Sequence, residues 1–153
     1  MQVSEAMTRD VCACSPEQTI AECAEAMARN DIGLLPVAEN NFLVGMVTDR
    51  DIAVRAVAAG KGPDTPVREI LSRRVLYCFE DQDLEHVARS MGMARVRRVP
   101  VLTRGNRVAG MLSLGDVALR APEVAARAIA DISRHGGAHS QSAPLRPNRK
   151  ENA

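Results

Sequence analysis

The chain has 153 residues, of which 46% are hydrophobic, 25% are charged and 2% are aromatic. This length and composition predict one compact domain, or two interdependent halves, around an aliphatic core. The formal net charge of +1 excludes a general polyanion-binding protein, and the absence of a long apolar run and of a secretory signal excludes a membrane-spanning or secreted one. We therefore expect a cytoplasmic chain whose four cysteines are reduced.

The first predicted elements are a strand and an amphipathic helix. Val11 to Cys14 is a short apolar and β-branched run that suits a strand. From Ile20 to Ala28, apolar residues recur at three- and four-residue steps, which is typical of a helix with one buried face. Thr19 stands directly before this stripe and is a favourable N-terminal cap.

A hairpin and a second helix complete the unit. Apolar segments at 34–37 and 43–47 flank Glu39-Asn40-Asn41, and asparagine tolerates the positive φ that tight hairpin turns need. A helix then runs from about Asp49 to Ala59, and Gly60 to Pro63 breaks the chain. The first half therefore predicts a β-α-β-β-α unit.

The second half of the chain repeats the first at an offset of 64 residues, which becomes 65 after one extra residue in the hairpin turn. Matching pairs are Met7 and Leu71, Cys14 and Cys78, Pro36 and Pro100, and Asp51 and Asp116. The repeated elements are a strand at 75–79, a helix from Leu84 behind the cap Asp83, hairpin strands at 98–102 and 107–112, and a helix at 114–121. One copy buries little surface alone, so we expect the two to pack about a pseudo-two-fold axis that leaves two clefts.

The C-terminal part differs from both copies. Pro122 suits the first turn of a further helix, from about Glu123 to Arg134, and the Gly-, Ser- and Pro-rich remainder predicts disorder. We therefore divide the chain into a first repeat, a second repeat, a C-terminal helix and a disordered tail, at residues 1–62, 63–121, 122–134 and 135–153.

Both repeats carry the pattern G-x-x-[ST]-x-x-D where the last strand meets the second helix. The residues are Gly45, Thr48 and Asp51 in the first repeat, and Gly110, Ser113 and Asp116 in the second. The hydroxyl lies at a helix N-terminus, which favours a phosphate, and the aspartate can accept both hydrogens of a ribose diol. The same pattern is also an ordinary helix-capping arrangement, and the two interpretations are compatible.

The segments IGLLPV at 32–37, VTDRDI at 47–52 and VRRVPV at 96–101, within a duplicated unit, resemble a tandem pair of CBS motifs, or Bateman module. The resemblance implies a mixed α/β (α+β) fold and a regulatory module without enzymatic activity. It also implies that AMP, ADP or ATP, or else S-adenosylmethionine or NAD, binds between the repeats. A homodimer formed through helices and an unidentified protein effector are implied as well.

The resemblance also implies roles for individual residues. Asp51 and Asp116 hold the ribose, and Thr48 and Ser113 face the phosphate. Residues of the first strands border the adenine, and the residues before the Pro-Val pairs, Ile32 to Leu35 and Val96 to Val99, line the same cleft. The site residues assigned on this basis are Val11, Cys12, Ala13, Val75, Leu76 and Tyr77, and then Leu35, Pro36, Val99 and Pro100.

Three arginines have two interpretations each. Arg50, Arg97 and Arg98 are candidates to neutralise ligand phosphates. Arg50 is equally consistent with a solvated first-turn residue, and Arg97 and Arg98 with a cationic edge strand. No aromatic residues alternate with these arginines, so they do not predict a nucleic-acid surface.

Two alternative functions remain open. The first is a structural or dimerisation module whose clefts are vestigial. The second is a metal- or redox-responsive protein that uses Cys14 and Cys78, although small buried thiols are the favoured interpretation of these cysteines. The sequence contains no Ser-His-Asp set, phosphate-binding glycine loop or H-E-x-x-H motif, and we do not expect an enzyme.

Overall fold

The computed structural model describes residues 1–134 and contains an α-β-β-α unit twice, preceded by a short strand in the second repeat only, as an α+β fold. The first repeat consists of α1 (Ile20–Asn30), β1 (Leu34–Glu39), β2 (Phe42–Thr48) and α2 (Asp49–Asp51), which continues as a π-helix over Ile52–Val57. The second consists of β3 (Cys78–Phe79), α3 (Leu84–Ala94), β4 (Arg98–Leu102), β5 (Val108–Ser113) and α4 (Leu114–Arg120), and α5 (Pro122–Ser133) follows. The tail predicted at 135–153 lies outside the described residues.

The predicted first strands are mostly wrong. In the first repeat only Cys14 pairs, in a parallel bridge with Val37 of β1. The chain turns at Asp10, whose φ is +54°, so residues 11–13 run past the edge of the sheet instead of joining it. In the second repeat the strand shrinks to Cys78–Phe79, which pairs with β4.

The predicted helix caps are confirmed. The Thr19 side chain accepts a hydrogen bond from the Glu22 amide at 3.1 Å, and Asp83 accepts one from the His86 amide at 3.0 Å. Both capped helices end on a left-handed residue at matching positions, Asp31 and Arg95. The local signals of the two copies therefore fold in the same way.

Both hairpins form as predicted. β1 pairs with β2, and β4 pairs with β5, each antiparallel and each with one register shift, directly after Val37 and Val101. The turns use asparagines with positive φ: Asn40 and Asn41 in the first hairpin and Asn106 in the second. Each hairpin delivers the end of its second strand to the helix that carries the repeated motif.

The leading segment of each repeat packs on the other half. Val3 and Met7 belong to the core formed by the second repeat, and Val67 and Ile70 belong to the core formed by the first. Two short 3₁₀ helices, Val3–Glu5 and Val67–Glu69, start these segments. Two segments therefore connect the halves, because each leading segment crosses the seam and packs on the opposite half.

Two glycines permit this exchange. Thr8 pairs with Met111 of β5, and Ser72 pairs with Met46 of β2. A Cβ atom on Gly110 would lie 2.4 Å from the Thr8 carbonyl oxygen, and one on Gly45 would lie 2.4 Å from the Ser72 carbonyl oxygen. Since these contacts are with backbone atoms, no side chain fits at either position without moving the crossing strand.

Helix α5 covers the second repeat. It packs on α3 and α4, and its Ala125 and Ala128 are buried in that core. Across residues 1–134, none of the helices combines the length and apolar character needed to cross a bilayer.

Candidate functional site

The repeated motif forms a closed capping arrangement in the second repeat. Ser113 Oγ accepts a hydrogen bond from the Asp116 amide at 3.1 Å. Asp116 Oδ2 in turn accepts the Ser113 amide at 2.8 Å and the Ser113 hydroxyl at 2.7 Å. The hydroxyl hydrogen is therefore committed to the aspartate, and Ser113 must release it before it can donate to a ligand phosphate.

The first repeat forms the same cap, except that no hydrogen bond joins the Thr48 hydroxyl to the Asp51 carboxylate. Thr48 Oγ1 accepts the Asp51 amide and Asp51 Oδ2 accepts the Thr48 amide, both at 3.0 Å. The capping interpretation thus holds in both copies, since Oδ2 of each aspartate accepts a hydrogen bond from the capping residue of its own helix.

The second carboxylate oxygens are in different environments. Asp51 Oδ1 lies 3.9 Å from Arg55 Nη1, and the same guanidinium donates to the Ile70 carbonyl at 2.9 Å and to Ser72 Oγ at 3.2 Å. Asp116 Oδ1 has neither a hydrogen-bond donor nor a cation within reach among residues 1–134, although Arg120 occupies the position of Arg55. Asp116 therefore keeps one oxygen free for an external donor.

A cleft of about 360 Å³ opens at the seam beside Asp116. Its apolar wall consists of Val11, Cys12, Ile32, Leu34 and Met111, and its polar groups are those of Thr8, Asp10, Asn30, Arg98, Ser113 and Asp116. The lining residues come from the leading segment, the first repeat and the second repeat. A molecule bound here would contact all three.

The charged side chains of this cleft are unbalanced. Two carboxylates, Asp10 and Asp116, face one guanidinium, Arg98. The lining side chains therefore carry a formal charge of −1, which disfavours a ligand with several phosphates and favours one of low negative or positive charge.

Seven of the predicted site residues meet in this cleft: Val11, Cys12, Ile32, Leu34, Arg98, Ser113 and Asp116. Thr48 and Asp51 lie half-buried at the matching junction of the first repeat, and Arg50, Ala13 and Arg97 are exposed. None of these five residues lines the cleft. Val75 and Tyr77 line a second hollow of about 360 Å³, next to Arg73 and Gly45, and Leu76 lies near them on the surface.

The predicted residues at the Pro-Val pairs do not line the cleft. Leu35 and Val99 are buried in the two cores, and Pro36 and Pro100 are buried in the sheets. Successive strand residues point to opposite faces, so Leu34 faces the cleft while Leu35 faces the core. Of the predicted range 32–35, Ile32 and Leu34 thus line the cleft and Leu35 does not.

Four lining residues were missed: Thr8, Asp10, Asn30 and Met111. Thr8 and Asp10 reach the site because the leading segment crosses to β5. The only sequence signal for them was the alignment of Met7 with Leu71, which includes the leading segment in the repeat.

The hypothesis that Cys14 and Cys78 act together is wrong, because they lie in different cores. Both thiols are buried, as is Cys23, which agrees with their interpretation as core residues. Burial raises the pKa of Cys78 to about 12. Within residues 1–134, no three Cys, His, Asp or Glu side chains are arranged to hold a metal ion.

Comparison with known proteins gives consistent results. The family model described as CBS domain matches residues 3–57 and 67–123. The CBS domain-containing protein YhcV of Bacillus subtilis is 38% identical over 133 residues, which are 86% of this chain and 94% of that protein. Hypoxic response protein 1 of Mycobacterium tuberculosis is 33% identical over 119 residues, 76% of this chain and 82% of that protein.

Two solved structures are similar in fold. A crystal structure of Hypoxic Response Protein I with two coordinated zinc ions has a TM-score of 0.73 at 30% identity and covers 80% of this chain and 100% of its own. The CBS domain pair of protein MJ0100, in complex with 5′-methylthioadenosine and S-adenosyl-L-methionine, has a TM-score of 0.68 at 28% identity and covers 78% of this chain and 94% of its own.

Proposed function

The chain belongs to the CBS domain family, and from that premise we propose that it is a non-catalytic regulatory module that binds an adenosyl ligand in the cleft beside Asp116. One observation carries the proposal: a free carboxylate oxygen stands at the edge of an apolar-walled cleft between the repeats. The MJ0100 pair, similar in fold, is described in complex with two adenosyl compounds.

The parts of an adenosyl ligand match the parts of the cleft. Asp116 Oδ1 accepts from the ribose diol, as a carboxylate without a donor of its own can. The adenine packs on the apolar wall, which Val11, Ile32 and Leu34 help to form. Arg98 pairs with a phosphate or carboxylate at the other end of the ligand. The volume of about 360 Å³ lies at the lower end of the range for small-molecule sites.

We propose that the ligand carries little negative charge. Asp10 and Asp116 outweigh Arg98, so each added phosphate meets repulsion that one guanidinium does not offset. S-adenosylmethionine, 5′-methylthioadenosine and AMP are the favoured ligands, and ADP, ATP and NAD bind more weakly.

We propose that the two motifs are unequal in binding. Asp51 Oδ1 lies 3.9 Å from the Arg55 guanidinium, too far for a hydrogen bond but close enough for an ion pair, while Asp116 Oδ1 has no cation within reach among residues 1–134. The cleft is lined by Asp116 and not by Asp51, and it is therefore the principal site.

Binding at this cleft offers a route to a signal. The ligand touches the leading segment and both repeats, so it favours the packing of the halves that brings these three walls together. We propose that a partner reads this change. The chain acts as a homodimer through α4 and the helical segment after α2, where Leu119, Val57 and Val54 are 85%, 67% and 51% exposed.

The proposed dimer has a direct test. Light scattering on the wild type would give twice the chain mass, and Leu119→Glu would shift it towards the monomer. A wild-type protein that stays monomeric at micromolar concentration would contradict the dimer. We also propose a cytoplasmic location, since all four cysteines are free thiols.

Calorimetry on ligand-free full-length protein tests the function. The titrants are 5′-methylthioadenosine, S-adenosylmethionine, AMP, ADP, ATP and NAD. The proposal predicts saturable heat, with ATP at least about tenfold weaker than AMP, a difference of about 1.4 kcal/mol. Absence of heat with every compound, on a sample shown to be folded, would instead favour a structural module with vestigial clefts.

A further inference from the structure

Two buried thiols of the first repeat are in direct contact. The Sγ atoms of Cys14 and Cys23 lie 3.0 Å apart, about 1 Å more than the bond length of a disulfide. Cys14 is 3% exposed and ends the segment that pairs with β1, while Cys23 is fully buried in the first turns of α1. Both are reduced in this structure.

The duplication shows that packing alone does not require the second thiol. Cys78 matches Cys14 in the second repeat, but the residue that matches Cys23 is Val87. Cys78 and Val87 belong to one core, in which the Cys78 sulfur has only the Pro100 carbonyl, at 4.0 Å. A valine thus fills the equivalent place in a fold of the same design, and the thiol pair is a property of the first repeat alone.

We propose that Cys14 and Cys23 are a dithiol oxidation site, which a peroxide converts into an intramolecular disulfide. Cys23 is buried in the closed fold, so the peroxide reaches it when the first turns of α1 open locally. The Cys23 thiolate then attacks one peroxide oxygen, the O–O bond breaks, and hydroxide leaves as a sulfenic acid forms. Cys14 then loses its proton and attacks the sulfenic sulfur; the S–S bond forms, the S–O bond breaks, and water leaves. The two thiols lose two electrons in total, and one peroxide is reduced to two waters.

The contact between the thiols favours this order of steps. The pKa of Cys23 is lowered, because its thiolate accepts the S–H of Cys14. The pKa of Cys14 is raised, first by the same hydrogen bond and then by burial. Cys23 is therefore the first to ionise and Cys14 the resolving thiol. The short separation lets the second step occur without a large movement of the backbone.

The proposal does not depend on any ligand in the cleft, and its test uses wild-type protein without ligand. The reduced full chain is treated with hydrogen peroxide, and the remaining thiols are then alkylated under denaturing conditions. Two of the four cysteines should resist alkylation, and the mass should fall by two hydrogens. Cleavage after Glu17 and Glu22 separates the two cysteines, so mass spectrometry should find their peptides joined.

Variants supply matched controls. Cys23→Val copies the second repeat, so it should fold and should lose the link, while Cys12→Ser and Cys78→Ser should keep it. Val87→Cys should install a second link, to Cys78. Four reactive thiols after peroxide, a link between chains, a link that includes Cys12, or a link that persists in Cys23→Val would each overturn the proposal.

Discussion

Replacing Gly110 with alanine should detach the N-terminal segment from the second repeat. The new Cβ would lie 2.4 Å from the Thr8 carbonyl oxygen and 3.2 Å from Met7 Sδ. To relieve this clash, the chain must break the paired hydrogen bonds between Thr8 and Met111, both 2.9 Å long. Each bond contributes about 1 kcal/mol, and loss of the fully buried Val3 side chain adds about 2 kcal/mol.

The expected destabilisation is therefore about 3–4 kcal/mol, a large part of the roughly 5–15 kcal/mol that stabilises a typical domain. Urea titration followed by circular dichroism measures it, since the chain has no tryptophan. Gly62→Ala is the control, because a Cβ there meets nothing within 4 Å. If Gly110→Ala stayed within about 0.5 kcal/mol of the wild type, the exchange of leading segments would not stabilise the fold as argued.

Two further predictions concern charge. Burial raises the pKa of Cys78 to about 12, above its value in the unfolded chain, so its contribution to stability is intact below about pH 8.5 and is lost as the pH rises towards 12. Urea titrations should therefore show that the free energy of unfolding falls by up to about 2 kcal/mol between pH 8 and pH 10, and that Cys78→Val reduces this fall. An equal fall in the variant would contradict the role given to Cys78. Arg98→Ala should weaken the binding of AMP about tenfold in calorimetry, but it should leave the binding of 5′-methylthioadenosine, which has no phosphate, nearly unchanged. Equal losses of affinity for both compounds would exclude a contact between Arg98 and the phosphate.

Much of the fold follows from local signals in the sequence. The caps Thr19 and Asp83, the asparagine turns and the period of the apolar residues each act over a few residues, and the duplication doubles every signal. These features predict the helices and hairpins of both repeats. They also place Ser113 and Asp116 correctly at a strand-to-helix junction.

What local patterns could not predict depends on distant parts of the chain. Val11 to Cys14 has the composition of a strand, but Thr8 already pairs with Met111, and the chain must turn at Asp10 to reach the other half. Part of the cleft lining was misassigned for a related reason. Which of Leu34 and Leu35 faces the seam depends on how the sheet sits against the opposite repeat, and the apolar composition is the same for either.

The thiol pair illustrates the same limit. The sequence places Cys23 on the buried face of α1 and Cys14 at a strand end, and both positions are confirmed as core. Their contact depends on the way α1 crosses the sheet, which neither segment encodes alone. The matching of Cys14 with Cys78 therefore drew attention to two thiols that lie in separate cores.

The most direct measurement compares 5′-methylthioadenosine binding by Asp116→Ala and Asp51→Ala in calorimetry. Both substitutions remove a carboxylate that accepts the amide of the capping residue, at a cost of about 1 kcal/mol each, and Asp116→Ala also removes the hydrogen bond from the Ser113 hydroxyl. The account predicts that Asp116→Ala weakens binding by about 10- to 100-fold, because a charged hydrogen bond to the ribose is lost, while Asp51→Ala changes it less than about threefold. Equal effects, or a larger loss in Asp51→Ala, would contradict the assignment of the cleft beside Asp116 as the ligand site.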